Sequence, residues 1–106
     1  MAILIITPEA QSDIERFYYF YLETASEKIA FALVDTITNK LTELAKNPKI
    51  GRKYYDTNTE FSYRGFLIFF GAAKRNCYIA LYKFDNKTVT VLRIKMLVKA
   101  VIVLCR

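Results

Sequence analysis

Histidine is absent from all 106 residues, so any chemistry done by this chain falls to lysine, arginine, tyrosine and carboxylates. That absence removes Ser-His-Asp and Cys-His nucleophiles, His-ligated metal sites and the usual proton shuttle near neutral pH. Arg64 and Arg93 stand out because each interrupts an otherwise apolar run. An arginine in such a run is costly unless it has a partner or faces an open cleft. Lys53, Lys95 and Tyr82 complete a set able to hold an anion or move a proton. Each cation also has a plain structural reading, as the partner of a carboxylate such as Asp56 or Glu60 or as a charge on the solvent face. Lys74 and Arg75 fall in a predicted loop and read as surface charges. Cys77 and Cys105 form neither a disulfide framework nor a paired-cysteine metal motif, so reduced thiols, no metal and no cofactor are expected.

The chain carries a net charge of +6, unevenly spread. Residues 1 to 45 hold 3 basic and 7 acidic side chains, and residues 46 to 106 hold 13 and 3, leaving −4 and +10. A half-chain so basic attracts nucleic acid, an acidic protein surface or anionic lipid. With 54% hydrophobic residues, 3 Gly and 2 Pro, the chain is too apolar to be disordered, and its length suits one domain spanning residues 1 to 106. The apolar start lacks the basic leader of an export signal, and the apolar segment from Met96 to Cys105 contains Lys99 and is too short to span a bilayer. A soluble cytoplasmic protein without a membrane partner is expected.

Those side chains must be positioned by a small set of elements. Ala2 to Ile6 reads as a strand inside a sheet. Thr7 can cap a helix whose first residue is Pro8, and Ala10, Ile14, Phe17, Tyr18 and Tyr21 give it an apolar face to about Glu23. The spacing Thr24 to Glu27 fits a capping box for a second helix with a stripe of Ile29, Leu33, Ile37, Leu41 and Leu44, ended by Asn47-Pro48. So short a connection predicts an antiparallel helix hairpin whose stripes are core. After Gly51 the pattern turns to strands, over 61 to 70, 77 to 84 and 88 to 95, with a tight turn at Asp85-Asn86-Lys87. Alternation puts Val89, Val91 and Arg93 on one face of the last run and Thr90, Leu92 and Ile94 on the other. Tyr54, Tyr55, Phe66, Phe69 and Phe70 read as core aromatics rather than a base-stacking platform. The fold class is α+β: an N-terminal strand, an antiparallel two-helix hairpin and a three- or four-stranded antiparallel meander.

Several segments carry a family resemblance. They are the 7 to 15 segment Thr-Pro-Glu-Ala-Gln-Ser-Asp-Ile-Glu, Leu44-Ala-Lys-Asn-Pro48, Gly51-Arg-Lys53, Tyr63-Arg64-Gly-Phe-Leu-Ile68, Tyr78-Ile-Ala-Leu-Tyr-Lys83 and Val91-Leu-Arg-Ile94. In this order, over roughly Ile3 to Lys95, they resemble the RelE/ParE superfamily of type II toxin-antitoxin (plasmid stabilisation) systems. The long hairpin is more similar to the ParE branch. That resemblance implies a toxin that binds and inhibits DNA gyrase, is not an enzyme, and is neutralised by a cognate antitoxin. The RelE alternative implies a ribosome-dependent mRNA endonuclease, in which Arg64, Arg93, Lys53, Lys95 and Tyr82 would supply base, acid and charge stabilisation. Antitoxins of this family wrap an acidic or amphipathic segment around the toxin, which directs attention to the basic sheet side and the helix hairpin.

The resemblance departs at Met96 to Arg106, where nine of eleven residues are apolar in place of the family's usual polar segment. Three readings stand: an extra strand, a contact for a homodimer or docking partner, and a reading-frame change leaving an inactive remnant that only binds antitoxin.

Overall fold

The computed structural model describes residues 1–56, 61–71 and 76–97, with the backbone alone at 54–56, 61 and 62. Its elements are β1 (Ile3–Ile6), α1 (Pro8–Thr24), α2 (Glu27–Lys46), β2 (Arg52–Asp56), β3 (Phe61–Phe70), β4 (Asn76–Asp85) and β5 (Thr88–Met96). The strands form one sheet in the order β1-β5-β4-β3-β2, antiparallel from β2 to β5, with β1 parallel to β5. The expected α+β architecture is present, with the meander in its four-stranded form. β1 lies at the sheet edge rather than inside it, which leaves Ile3 and Ile5 exposed.

Thr7 joins β1 to α1 physically as well as in sequence. Its hydroxyl oxygen accepts from the Ala10 amide at 3.2 Å, as a helix cap should, and donates to the Val91 carbonyl at 2.8 Å. Pro8 follows at the first helical position, where its missing N–H is no loss. α1 buries Ala10 and Ile14, with Phe17 and Tyr21 packed at the rim of the core. Tyr18 departs from the expected core face and meets Phe31 of α2 edge-on, with ring centres 5.4 Å apart.

The cap of α2 is Ser26, not Thr24. Ser26 has the extended backbone a cap requires (φ −162°, ψ 163°) and its hydroxyl accepts from the Ile29 amide at 3.1 Å. Thr24 is still helical in α1, and its hydroxyl donates back to the Phe20 carbonyl at 2.7 Å. Starting at 27, α2 buries Ala30, Leu33, Ile37, Leu41, Leu44 and Ala45, while Ile29 is exposed. This stripe meets Ile68 of β3, Tyr78, Ala80 and Tyr82 of β4, and Val89, Val91 and Ile94 of β5. Phe66 and Phe70 pack against it, whereas Phe69 pairs with Cys77 one register step away and so belongs to the other face.

The β4–β5 turn has positive φ at Asn86 (50°) and Lys87 (61°), the pattern of a two-residue hairpin turn whose twist suits its strands. Further along, Tyr82 pairs with Val91 but Leu81 pairs with Arg93, so Leu92 is an extra, bulged residue. The bulge overturns the expected alternation. Ile94, not Arg93, joins Val89 and Val91 in the core, and Arg93 shares the opposite face with Leu81.

Candidate functional site

The structure divides the five candidate side chains between two places. Lys53, Arg64 and Tyr82 form one cross-strand row through β2, β3 and β4, because Lys53 pairs with Arg64 and Arg64 with Tyr82. Arg93 and Lys95 lie on β5, beyond the bulge, opposite Leu81 and Ile79.

Within the row, Arg64 and Tyr82 hold the loop between α2 and β2. The Arg64 guanidinium Nη1 donates to the Gly51 carbonyl at 2.9 Å and the Lys49 carbonyl at 3.1 Å. The Tyr82 hydroxyl donates to the Pro48 carbonyl at 2.7 Å and accepts from the Gly51 amide at 3.0 Å. Gly51 is needed for this approach, since a Cβ there would sit 2.5 Å from the phenol oxygen. Burial pushes the Tyr82 pKa up, and the Gly51 amide and Arg64 charge only partly oppose it. The phenol is thus kept neutral, with both hydrogen-bonding roles taken by backbone. Lys53 remains exposed, as do Lys46, Lys49 and Arg52 along the junction from α2 into β2. The clamp is therefore bordered by a run of exposed cations.

Arg93 serves a second anchor. β1 ends its pairing at Ile6 opposite Val91, and among the described residues no strand continues along the β5 edge beyond that point. Asp13 of α1 fills the gap, with its side chain only 2% exposed. Its carboxylate accepts from Arg93 Nε at 2.8 Å, Arg93 Nη2 at 3.0 Å and the Ile94 amide at 3.0 Å, and Arg16 lies at 2.6 Å. Burial alone would raise the Asp13 pKa, but the Arg93 hydrogen bonds, the Ile94 amide and the charges of Arg93 and Arg16 outweigh it and hold the carboxyl below its ordinary value. In turn, Asp13 raises the pKa of Arg93. An open cavity of about 380 Å³ borders this anchor, lined by Pro8, Glu9, Ser12, Asp13, Arg16 and Arg93. Lys95 is exposed.

Arg93 thus pairs with Asp13, and Arg64 donates to carbonyls, while the side chain of Asp56 lies outside the described residues. By sequence alone Asp13 is an acid near the start of α1, where it favours the helix dipole. The available signal was its place in the Ala10-Ile14-Phe17 stripe, where a carboxylate must be neutralised or partnered. Glu60, Lys74 and Arg75 lie outside the described residues. Of the apolar C-terminal segment, Met96 completes β5 and the Leu97 amide donates to the Cys77 carbonyl at 2.9 Å; the rest lies outside the described residues. Among the described residues no cluster of His, Cys, Asp or Glu could hold a metal ion, and no helix is long and apolar enough to cross a membrane.

Comparison with known proteins bears directly on this fold. A family model described as the ParE toxin of the type II toxin-antitoxin system, parDE, matches residues 4–96. Among solved structures, the chain is similar to one from the chromosomal ParDE toxin-antitoxin system of P. aeruginosa, at a TM-score of 0.73 and 21% identity. That match covers 92% of this chain and 98% of the other. No curated protein sequence matches the chain. The family match runs from β1 to the end of β5 and includes both anchors, and on it the chain belongs to the ParE toxins of type II toxin-antitoxin systems.

Proposed function

We propose that this toxin acts by binding, with DNA gyrase as its target and a cognate antitoxin as its neutraliser, in the cytoplasm and without chemistry of its own. One observation carries the reading. Of the groups best suited to catalysis, Tyr82 and Arg93 are committed to a backbone carbonyl, a backbone amide and a buried carboxylate, and Arg64 gives its Nη1 to backbone carbonyls. A general acid or base must be able to exchange its proton with a reacting group, and a neutral Tyr82 held at both ends is poorly placed for that. What the clamp leaves outside is a basic edge of Lys46, Lys49, Arg52 and Lys53. Such an edge suits an acidic protein surface, and it is where an acidic antitoxin segment finds complementary charge.

The adjacency of Lys53 and Arg64 favours a second reading, because two neighbouring cations also suit a phosphate. That is the RelE-like cleavage of ribosome-bound mRNA. Purified chain added to a gyrase supercoiling assay tests the first reading, with pulse-labelling of DNA and protein synthesis after induction as the cellular counterpart. Inhibited supercoiling and an early fall in DNA synthesis are expected. An early fall in translation with supercoiling intact supports cleavage instead. Soluble protein with neither effect supports an inactive remnant, whose test is retained antitoxin binding.

A further inference from the structure

The tip of the helix hairpin exposes aromatic surface that the fold does not use. Tyr19 is 60% exposed and Phe31 is 51% exposed. Tyr18 joins them into one patch, with its ring 5.3 Å from that of Tyr19 and 5.4 Å from that of Phe31. Leu22, one turn on from Tyr18, extends the patch along α1. Scattered exposed apolar residues need no explanation, but a contiguous aromatic surface spanning two helices has the make-up of a protein interface.

Its surroundings have a definite sign. Glu15 and Glu23 lie one turn either side of Tyr19, and Glu27 and Asp35 lie one turn either side of Phe31, all four exposed. Lys28 is the opposing cation beside Phe31, and Arg16, near Tyr19, is already held by Asp13. The rim is therefore acidic, the reverse of the basic edge at the far end of α2. Face-to-face pairing of two copies would set these carboxylates against one another, which is unfavourable. An acidic segment is disfavoured for the same reason, and an anionic membrane surface likewise.

From this charge complementarity we infer that the Tyr18, Tyr19, Leu22 and Phe31 patch docks a cationic amphipathic helix of a partner protein, its apolar side on the aromatics and its lysines or arginines on the acidic rim. The inference stands apart from the gyrase reading. It assigns a polarity to each end of the molecule, with acidic partner surface at the basic edge and cationic partner segment at the hairpin tip. An antitoxin that wraps both ends would have to change charge along its length.

The test uses the full chain and two synthetic helical peptides with identical leucine faces, one with lysine and the other with glutamate at every polar position. Titration followed by amide chemical shifts and calorimetry should show saturable binding of the lysine peptide, with shifts centred on residues 18 to 22 and 31 and affinity falling as salt rises. The double variant Tyr19→Ser with Phe31→Ser should bind at least about tenfold more weakly. Glu23→Gln with Asp35→Asn should weaken binding about threefold and flatten the salt dependence. These residues are exposed, so the variants should melt as the parent does, and shift mapping on the parent chain tests the site even without them. Equal binding of the glutamate peptide, shifts centred elsewhere, or unchanged affinity in the aromatic variant would each overturn the inference. Self-association of the parent chain in sedimentation, lost in the aromatic variant, would overturn it in favour of a second copy.

Discussion

Arg93 and Arg64 each leave an apolar strand to hold another part of the chain, but among the described residues Arg93 meets a carboxylate and Arg64 meets carbonyls. The first anchor ties α1 to the edge of β5, across a charge pair whose acid is buried. The second ties the α2–β2 loop to the sheet through neutral acceptors, with Tyr82 bracing the same loop from β4. Both satisfy backbone or charge that the fold would otherwise strand. An arginine inside a strand therefore signals a need for acceptors, and tertiary structure decides whether those acceptors belong to a substrate or to the protein itself.

Removing the carboxylate should have the largest effect. Asp13→Ala strips two acceptors from Arg93 and leaves the buried Ile94 amide unpaired, so a loss of about 3 kcal/mol in urea unfolding is expected. A loss below about 1 kcal/mol would show that the anchor does not bear on folding. Tyr82→Phe should come next, at about 2 kcal/mol, because the buried Gly51 amide loses its acceptor while the ring stays in place. Arg64→Ala should cost about 1 kcal/mol, since the carbonyls it leaves lie nearer solvent.

Acid titration separates the two anchors further. The Asp13 carboxyl has a folded-state pKa below its unfolded value, so its contribution is fully present above the ordinary aspartate pKa of about 3.9 and fades as pH falls through the lower folded value. Asp13→Asn should flatten the acid limb of a stability-against-pH curve, and Arg64→Ala should leave its shape unchanged. The smallest stability effects belong to Lys53→Ala and Lys95→Ala, within about 0.5 kcal/mol of the parent because both side chains are exposed. Lys53→Ala should nonetheless weaken gyrase inhibition, and full inhibition by that variant would remove the basic edge from the proposed interface.

Much of the fold was legible because its signals are local. Thr7-Pro8 marks a helix start wherever it occurs ahead of an apolar periodic run, and the Leu33-Ile37-Leu41-Leu44 stripe specifies a buried face. The Asp85-Asn86-Lys87 turn was readable for the same reason. The displaced cap was less so, since Thr24 and Ser26 are both good caps and only the continuation of α1 through Thr24 decides between them. The site was the least legible part. Arg93 and Lys95 belonged to the same set of candidates as Lys53, Arg64 and Tyr82, and nothing local in the sequence separates them, yet β5 carries them beyond a bulge and the row at Lys53-Arg64-Tyr82 stands without them.

By itself the sequence determined the order of elements, most of each helix face, the strand-rich second half and the split of charge between −4 and +10. Periodicity, caps and turn residues act within a few positions of one another, and net charge needs no geometry at all. Tertiary structure alone decided that Leu92 is bulged, that Arg93 finds Asp13 eighty positions away, and that Arg64 and Tyr82 converge on Pro48 to Gly51. Those outcomes depend on register and on which buried polar group finds which partner, and both are set by the whole sheet closing against the helices rather than by any local run of residues.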